Sequence, residues 1–212
     1  MYQKFLKRSI DIVMAFILLV LSSPILLISG IAIKIDSKGK LIFKQKRVGK
    51  DGKCFYIYKL RTMAKDKNGE NKVTKVGKFL RATSIDELPQ FVNIIKGDMS
   101  FIGPRPWIEE YSKFFSNEDK RRWNVLPGIS GYAQVNGRNG MGIKEKINAD
   151  IWYVDNISFI TDLKIFFKTV KIVIKRTGAS ISETGIQEEL KELEKLYYEN
   201  LVDEQDLQER IG

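Results

Sequence analysis

Residues 12–33 read IVMAFILLVLSSPILLISGIAI and contain no charged side chain. As a straight α-helix, a run of this length would cross the ~30 Å hydrocarbon core of a bilayer. Pro24 interrupts the run, because proline supplies no backbone N–H and its ring crowds the carbonyl of Val20. In lipid that carbonyl needs another partner, and the hydroxyls of Ser22 and Ser23 are the nearest donors. The pattern therefore predicts a broken membrane helix.

Basic residues flank the apolar run on both sides: Lys4, Lys7 and Arg8 before it, and Lys34, Lys38, Lys40, Lys44, Lys46 and Arg47 after it. Since positive charge beside a membrane segment marks the cytoplasmic side, both ends are expected in the cytoplasm. A hairpin that enters one leaflet, bends at Ser23-Pro24 and returns satisfies this rule. A helix that spans the bilayer is the alternative. We predict a monotopic membrane protein with a re-entrant N-terminal helix hairpin.

The composition of the 212 residues narrows the chemistry, because the chain contains no histidine and only one cysteine. The lack of histidine excludes Ser-His and Cys-His nucleophiles and histidine-based zinc sites. A catalytic base or nucleophile must then come mainly from Asp, Glu, Lys, Tyr or Ser. A metal ion would be held by oxygen atoms, as Mg²⁺ or Mn²⁺ is. The single Cys54 excludes an intrachain disulfide and fits a reducing compartment.

The net charge of +10 is unevenly distributed, because acidic residues outnumber basic ones by ten to three from Glu183 onward. The basic body could bind nucleic acid, anionic lipid or phosphorylated substrates. The membrane segment favours the last two, and no nucleic-acid-binding motif is present, so we expect no nucleic acid partner. We predict three parts: a membrane anchor (1–36), a catalytic domain on the cytoplasmic face (37–180) and an acidic helical tail (181–212).

The elements after the anchor predict a mainly α fold with a small β-hairpin, that is, an α+β class. Two β-prone stretches, 41–47 and 54–60, flank an Asp51-Gly52 turn signal and predict the hairpin. Between Lys164 and Arg176, four lysines recur at spacings of three and four, so they share one face of a helix. This pattern is typical of an amphipathic helix in an anionic membrane interface, and equally of a surface helix packed on a core.

The adjacent carboxylates Asp86 and Glu87 precede a helix that is predicted from Leu88 to about Ile95. The dipole of a helix N-terminus favours negative charge, which would lower the pKa of Asp86 and keep it ionised as a nucleophile or metal ligand. The alternative is purely structural, because Ser84-x-x-Glu87 has the pattern of a capping box.

Three arginines support the functional interpretation of the carboxylate pair. Arg81 lies just upstream, Arg105 lies between Pro104 and Pro106, and Arg138 lies in a Gly-rich loop. An arginine binds phosphate through a planar fork, and a rigid backbone preserves that geometry. Together with the carboxylates, these arginines indicate a diphosphate site with a metal ion.

Eight motifs then occur in order: Lys7-Arg8-Ser-Ile-Asp11, Ser23-Pro24, Phe43-Lys-Gln-Lys-Arg-Val-Gly49, Tyr58-Lys-Leu-Arg-Thr-Met63, Ser84-Ile-Asp-Glu-Leu-Pro-Gln90, Lys96-Gly-Asp-Met-Ser-Phe-Ile-Gly-Pro-Arg-Pro106, Pro127-Gly-Ile-Ser-Gly-Tyr-Ala-Gln-Val-Asn-Gly-Arg138 and Asp155-Asn-Ile-Ser-Phe-Ile-Thr-Asp-Leu-Lys164. Together they resemble the bacterial sugar transferase family, the small monotopic polyprenol-phosphate phosphoglycosyl transferases. The resemblance covers residues 1–180.

The resemblance implies an enzyme on the cytoplasmic face of the bacterial inner membrane. It would transfer a sugar-1-phosphate from a UDP-sugar to a polyprenol phosphate, expected to be undecaprenyl phosphate, and release UMP. This reaction is the first membrane step of a pathway to a glycoconjugate such as lipopolysaccharide, capsule, exopolysaccharide or a glycosylated protein. The lipid bilayer is a further partner, and a second copy or other pathway enzymes are additional candidates.

The resemblance also implies residue roles. Asp86 would be the nucleophile and a ligand of Mg²⁺ (Mn²⁺ is the alternative), forming a phosphoaspartyl-sugar intermediate in a ping-pong mechanism. Glu87 would support the dyad and the metal. The expected substrate-binding residues are Lys59, Arg61, Arg81, Arg105 and Arg138. Two rival functions remain: a non-catalytic basic membrane-binding module, and a glycosyltransferase that releases UDP.

Overall fold

A computed structural model describes residues 2–66, 69–137, 141–175 and 190–198. These residues form a mainly helical fold with three two-stranded sheets and one long apolar N-terminal helix. The predicted α+β class is confirmed at this level.

The N-terminal half begins with a π-helical turn (Tyr2–Leu6) and the long helix α1 (Lys7–Asp36). The next elements, in chain order, are β1 (Ile42–Val48), β2 (Cys54–Leu60), β3 (Met63–Lys65), β4 (Asn71–Val73), α2 (Lys75–Ala82), a 3₁₀ turn (Ile85–Glu87) and α3 (Gln90–Lys96). Strands β1 and β2 form the predicted antiparallel hairpin, in which Phe43 lies opposite Lys59, and β3 pairs antiparallel with β4.

The C-terminal half contains β5 (Ser100–Ile102), two 3₁₀ segments (Glu109–Phe114 and Asp119–Asn124), β6 (Gly128–Ser130), α4 (Tyr132–Asn136), α5 (Ile143–Asp155) and α6 (Phe159–Ile174). Strands β5 and β6 are parallel. Residues 190–198 form a further helix, α7.

Helix α1 is apolar and continuous through Pro24. Ser23 Oγ donates to the Val20 carbonyl at 2.7 Å, and Ser22 Oγ donates to the Leu19 carbonyl at 3.3 Å. The carbonyl that Pro24 leaves without its usual donor is therefore bonded by a hydroxyl, as the sequence predicts. Among the described helices, α1 is long and apolar enough to cross a membrane. The re-entrant bend stays a prediction.

Both ends of α1 pack against the same globular body. Near its start, Ala15 packs in a cluster with Phe91 and Ile94 of α3. Near its end, Ile33 packs in a second cluster with Leu60 and Leu80. The opposite face of the helix leaves large apolar side chains exposed, among them Val13, Phe16, Val20, Leu21, Leu27, Ile28 and Ile31. A continuous apolar face of this size fits a monotopic membrane protein.

A buried polar cluster connects the start of α1 to α5 and α6. The Asp162 carboxylate accepts from Lys7 Nζ at 2.5 Å, from the Tyr2 hydroxyl at 2.6 Å and from the Tyr153 hydroxyl at 2.7 Å. Because all three donors converge on one carboxylate, the N-terminus of the anchor is held at a defined position beside α6.

Helix α6 begins at Phe159, five residues before the predicted start at Lys164. The reason is an N-cap that the lysine spacing does not reveal: the Ser158 side chain accepts from the Thr161 backbone N–H at 3.1 Å. Its outer face exposes Phe159, Ile160, Leu163, Phe166, Phe167, Val170, Val173 and Ile174, whereas Ile165 is buried. This exposed apolar face favours the interfacial alternative over a surface helix packed on the core.

The described part of the acidic tail contacts the protein's own body. Leu193 of α7 is buried in a cluster with Tyr111, Phe115 and residues Ile143 and Ile147 of α5. These contacts indicate that the described part of the tail covers the body of the protein. The remainder of the predicted tail lies outside the described residues.

Candidate active site

The carboxylate pair lies on a turn of its own. Asp86 and Glu87 belong to the 3₁₀ turn Ile85–Glu87, and α3 begins only at Gln90. Ser84 adopts the left-handed conformation (φ 56°, ψ 17°) and makes no capping bond through its side chain. The capping-box alternative is therefore wrong, because the Ser84 side chain accepts no hydrogen bond from the backbone of the following turn. A left-handed serine costs about 1 kcal/mol, which surrounding contacts must offset.

Asp86 is 7% exposed and forms no salt bridge with any residue that the structure describes. Burial, together with the charge of Glu87, raises the pKa of Asp86 to about 6, although Lys59 and Arg81 act to lower it. The predicted lowering of this pKa is wrong, because desolvation outweighs the favourable charges. A carboxyl group with this pKa is still mostly ionised at neutral pH and is available to react.

Glu87 has the opposite environment. Burial acts to raise its pKa, but the positive charges of Lys59, Arg105 and Arg47 outweigh it and lower the pKa to about 2. Lys59 Nζ donates to Glu87 Oε1 at 2.5 Å. The surroundings thus give the two adjacent carboxylates different pKa values. Glu87 forms an ion pair with Lys59, whereas Asp86 forms none in the described part of the chain.

Lys59 reaches Glu87 because α3 is docked on the edge of β2. The side chain of Asn93, which is fully buried, accepts from the Tyr58 backbone N–H at 3.1 Å and donates to the Tyr56 carbonyl at 2.7 Å. The Asn93 amide thus makes the two hydrogen bonds to β2 that the backbone of a neighbouring strand would otherwise make. The hairpin and the segment that follows the dyad are thereby fixed relative to each other.

Cationic side chains lie on two sides of the dyad. Beside Asp86, Arg81 Nε donates to Thr62 Oγ1 at 2.9 Å, which orients the guanidinium at the end of α2. Beside Glu87 lie the charges of Arg105 and Arg47. The structure thus brings together three of the predicted substrate-binding residues, namely Lys59, Arg81 and Arg105.

Arg47 is a site residue that the sequence prediction missed. Its guanidinium donates to the Pro106 carbonyl at 3.2 Å and to Gln45 Oε1 at 2.6 Å. Burial and the neighbouring charge of Arg105 lower the pKa of Arg47 to about 10. The available signal was its position in the motif Phe43–Gly49, on a strand whose partner carries Lys59.

The two other predicted substrate-binding residues are placed differently. The Arg61 guanidinium donates to the carbonyls of Lys38 (2.6 Å) and Ser37 (2.7 Å), so it joins the end of β2 to the exit of α1. These contacts direct Arg61 toward the anchor and not toward the dyad. Arg138 lies outside the described residues, so its substrate-binding role stays a prediction.

Asp86 is the residue of the dyad that could contribute to a metal site. The described residues contain no group of three or more Asp, Glu, Cys or His side chains suited to a metal. Mg²⁺ is, however, commonly bound by one or two carboxylates together with substrate phosphates and water. Asp86 is the carboxylate that could serve, because Glu87 is paired with Lys59. The donor set therefore fits a magnesium ion that arrives with a phosphorylated substrate.

Comparison with known proteins gives a consistent result. The sequence profile described as "Bacterial sugar transferase" matches residues 2–176. The uncharacterized sugar transferase EpsL of Bacillus subtilis is 42% identical over 180 residues, which cover 82% of this chain and 89% of that protein.

Two further relatives carry names that state a reaction. The UDP-glucose:undecaprenyl-phosphate glucose-1-phosphate transferase of Caulobacter vibrioides is 40% identical, over 82% of this chain and 71% of that protein. The UDP-N-acetylgalactosamine-undecaprenyl-phosphate N-acetylgalactosaminephosphotransferase of Aeromonas hydrophila is also 40% identical, over 82% of this chain and 45% of that protein. Because relatives of equal similarity are named for different sugars, this similarity does not identify the sugar.

Proposed function

Because this chain belongs to the bacterial sugar transferase family, we propose that it transfers a sugar-1-phosphate from a UDP-sugar to undecaprenyl phosphate or a similar polyprenol phosphate, releasing UMP. The observation that carries the proposal is the buried carboxylate of Asp86, which lacks an ion-pair partner among the described residues and is bordered by Lys59 and Arg81. The product would enter the synthesis of a surface glycoconjugate.

The proposed reaction has two displacements at one phosphorus. A carboxylate oxygen of Asp86 attacks the phosphorus that carries the sugar, and the bond to the UMP oxygen breaks with its electron pair on UMP. An oxygen of the polyprenol phosphate then attacks the same phosphorus, and the Asp86 carboxylate leaves. Neither step requires a proton to be moved, which agrees with a chain that has no histidine.

The other residues provide charge and position. Arg81, Arg105 and Arg47 offset the negative charge of the diphosphate, which would otherwise repel the attacking carboxylate. Glu87 holds Lys59, so the ammonium group stays beside Asp86. When bound, Mg²⁺ (with Mn²⁺ as the alternative) would be held by Asp86 and the substrate phosphates and would supply further positive charge.

The first test is nucleotide release in the absence of lipid. Purified protein mixed with Mg²⁺ and a panel of UDP-sugars is expected to release about one UMP per protein with the correct sugar, because the covalent step needs no acceptor. Adding polyprenol phosphate is expected to start repeated turnover, and EDTA to prevent both. Release of UDP would support a glycosyltransferase instead, and no release with any sugar would support a non-catalytic module.

The membrane arrangement that we propose is a re-entrant α1 with both ends on the cytoplasmic face of the inner membrane. Its support is that both ends of α1 pack against one body, through Ala15 and Ile33, and that basic residues flank both ends. If α1 spanned the bilayer, its two ends would lie on opposite sides, and one body could not contact both of them.

Cysteine labelling of inverted and right-side-out vesicles measures this arrangement. In a Cys54→Ser background, Gln3→Cys and Lys38→Cys are both expected to react with an impermeant maleimide only in inverted vesicles. Detergent-solubilised protein is the control that both cysteines are reactive. Labelling of one position from each side would show that α1 spans the membrane.

A further inference from the structure

Arg122 is a charged side chain that is almost completely buried, although it lies outside the dyad and its ring of cations. It belongs to the 3₁₀ segment Asp119–Asn124 and is 2% exposed. One terminal nitrogen donates to Asp150 Oδ2 of α5 and also to the backbone carbonyl of Arg105, at 2.7 Å in the second case. A buried ion pair is weak evidence that a residue contributes to stability. The contact of Arg122 with the site residue Arg105 indicates a role at the site instead.

Two aromatic rings hold the Arg122 guanidinium in place. The guanidinium carbon lies 4.3 Å from the centroid of the Trp107 ring and 5.6 Å from that of Phe115. Both rings belong to the cluster around Tyr111 and Ile147. A planar cation between an aromatic face and a carboxylate loses most of its rotational freedom. Its donors therefore point in fixed directions.

The segment Pro104-Arg105-Pro106 depends on such donors. Neither proline has a backbone N–H, so the segment has only the Arg105 N–H to offer and must be fixed mainly through its carbonyls. The Pro104 carbonyl accepts from Gly128 N at 2.9 Å, and the Pro106 carbonyl accepts from Arg47 at 3.2 Å. The central carbonyl, that of Arg105, accepts from Arg122.

We infer that Arg122 is a positioning residue for the UDP-sugar diphosphate, acting through Arg105. By fixing the Arg105 carbonyl, it sets the peptide plane from which the Arg105 side chain extends toward Glu87 and the substrate. This inference rests on the proposed function, in which Arg105 contacts the diphosphate. Asp150 and Trp107 act one step further out, because they hold Arg122.

A double-mutant cycle of Arg122→Lys and Arg105→Ala tests the inference. Lysine retains the charge beside Asp150 but loses the planar fork and the stacking on Trp107. In the wild-type background, Arg122→Lys is expected to lower kcat/KM for the UDP-sugar about 10- to 100-fold. In the Arg105→Ala background, the same change is expected to cost less than about 3-fold, because the residue that it positions is already gone.

The neighbouring Arg121→Lys is the matched control, since Arg121 is partly exposed and its surface ion pairs with Glu118 and Asp155 contribute little to stability. Its kcat/KM is expected to stay unchanged. If Arg122→Lys does not fold, Trp107→Phe takes its place, with a smaller loss and the same non-additivity. Thermal melting of every variant accompanies the kinetics.

An equal loss in both backgrounds would overturn the inference, because Arg122 would then act on the fold in general. The inference is also overturned if Arg105→Ala leaves kcat/KM unchanged. In that case the proposed reaction still stands, provided that the wild type releases one UMP per protein without lipid. If the wild type releases no UMP, the proposed function fails. The double-mutant cycle is then repeated with the affinity for Mg²⁺-UDP as the measured quantity. Non-additive losses of affinity still support the positioning role, and additive losses reject it.

Discussion

Replacing Asp86 by asparagine is expected to lower turnover at least about 1000-fold and to abolish UMP release in the absence of lipid. The amide has nearly the same shape as the carboxylate but is a poor nucleophile. Because Asp86 has no salt-bridge partner in the described part of the chain, the change leaves no buried cation without its partner. The variant is therefore expected to fold, with a melting temperature close to that of the wild type.

The matched control for this variant is Glu118→Gln, the same change from carboxylate to amide in an exposed surface pair. Its turnover is expected to equal that of the wild type. Steady-state rates with UDP-sugar and polyprenol phosphate, and quenched-flow UMP release without lipid, provide the two measurements. If Asp86→Asn keeps a tenth of the activity or more, Asp86 is not the nucleophile.

Replacing Lys59 by methionine is expected to change the pH dependence of the reaction. Because the pKa of Asp86 is about 6, kcat/KM of the wild type should rise as pH increases through about 6 and Asp86 becomes ionised. Lys59 lowers the pKa of both Asp86 and Glu87. Its removal should therefore raise both pKa values and move the midpoint of this rise upward by about one pH unit or more.

At pH 7 the Lys59→Met variant should be at least about 10-fold slower than the wild type, because the lost positive charge beside Asp86 and the diphosphate adds to an ionisation loss of about 2-fold for a shift of one pH unit. Only the ionisation loss should be recovered at pH 8 to 9. Lys53→Met, at the opposite end of the same hairpin, is the matched control, since Lys53 is exposed. Its pH profile should overlay that of the wild type. An unchanged midpoint in Lys59→Met would show that Asp86 ionisation does not limit the reaction.

Local features of the fold were predictable because each has a short-range cause. The hairpin follows from β-prone stretches around Asp51-Gly52, and the structure places both turn residues in the left-handed region. The hydroxyl bond to Val20 follows from the chemistry of Pro24. The long apolar helix follows from composition alone.

The electrostatics of the site were not predictable from local sequence. The pKa of Asp86 depends on how deeply the turn is buried, and that depth is set by contacts with segments distant in the chain. The contact between Arg122 and the Arg105 carbonyl bridges 17 positions, and the pair of Arg122 with Asp150 bridges 28. No motif spacing predicts these contacts, so the place of Arg122 beside the site is visible only in the packing.

Covalent labelling of the purified protein is the most direct test of the central proposal. The protein is incubated with Mg²⁺ and its UDP-sugar without lipid, and its intact mass and peptides are then measured. We predict an added sugar phosphate on the peptide that contains Asp86, which polyprenol phosphate removes. An adduct on any other residue, or full turnover with lipid in a protein that never carries an adduct, would contradict the account.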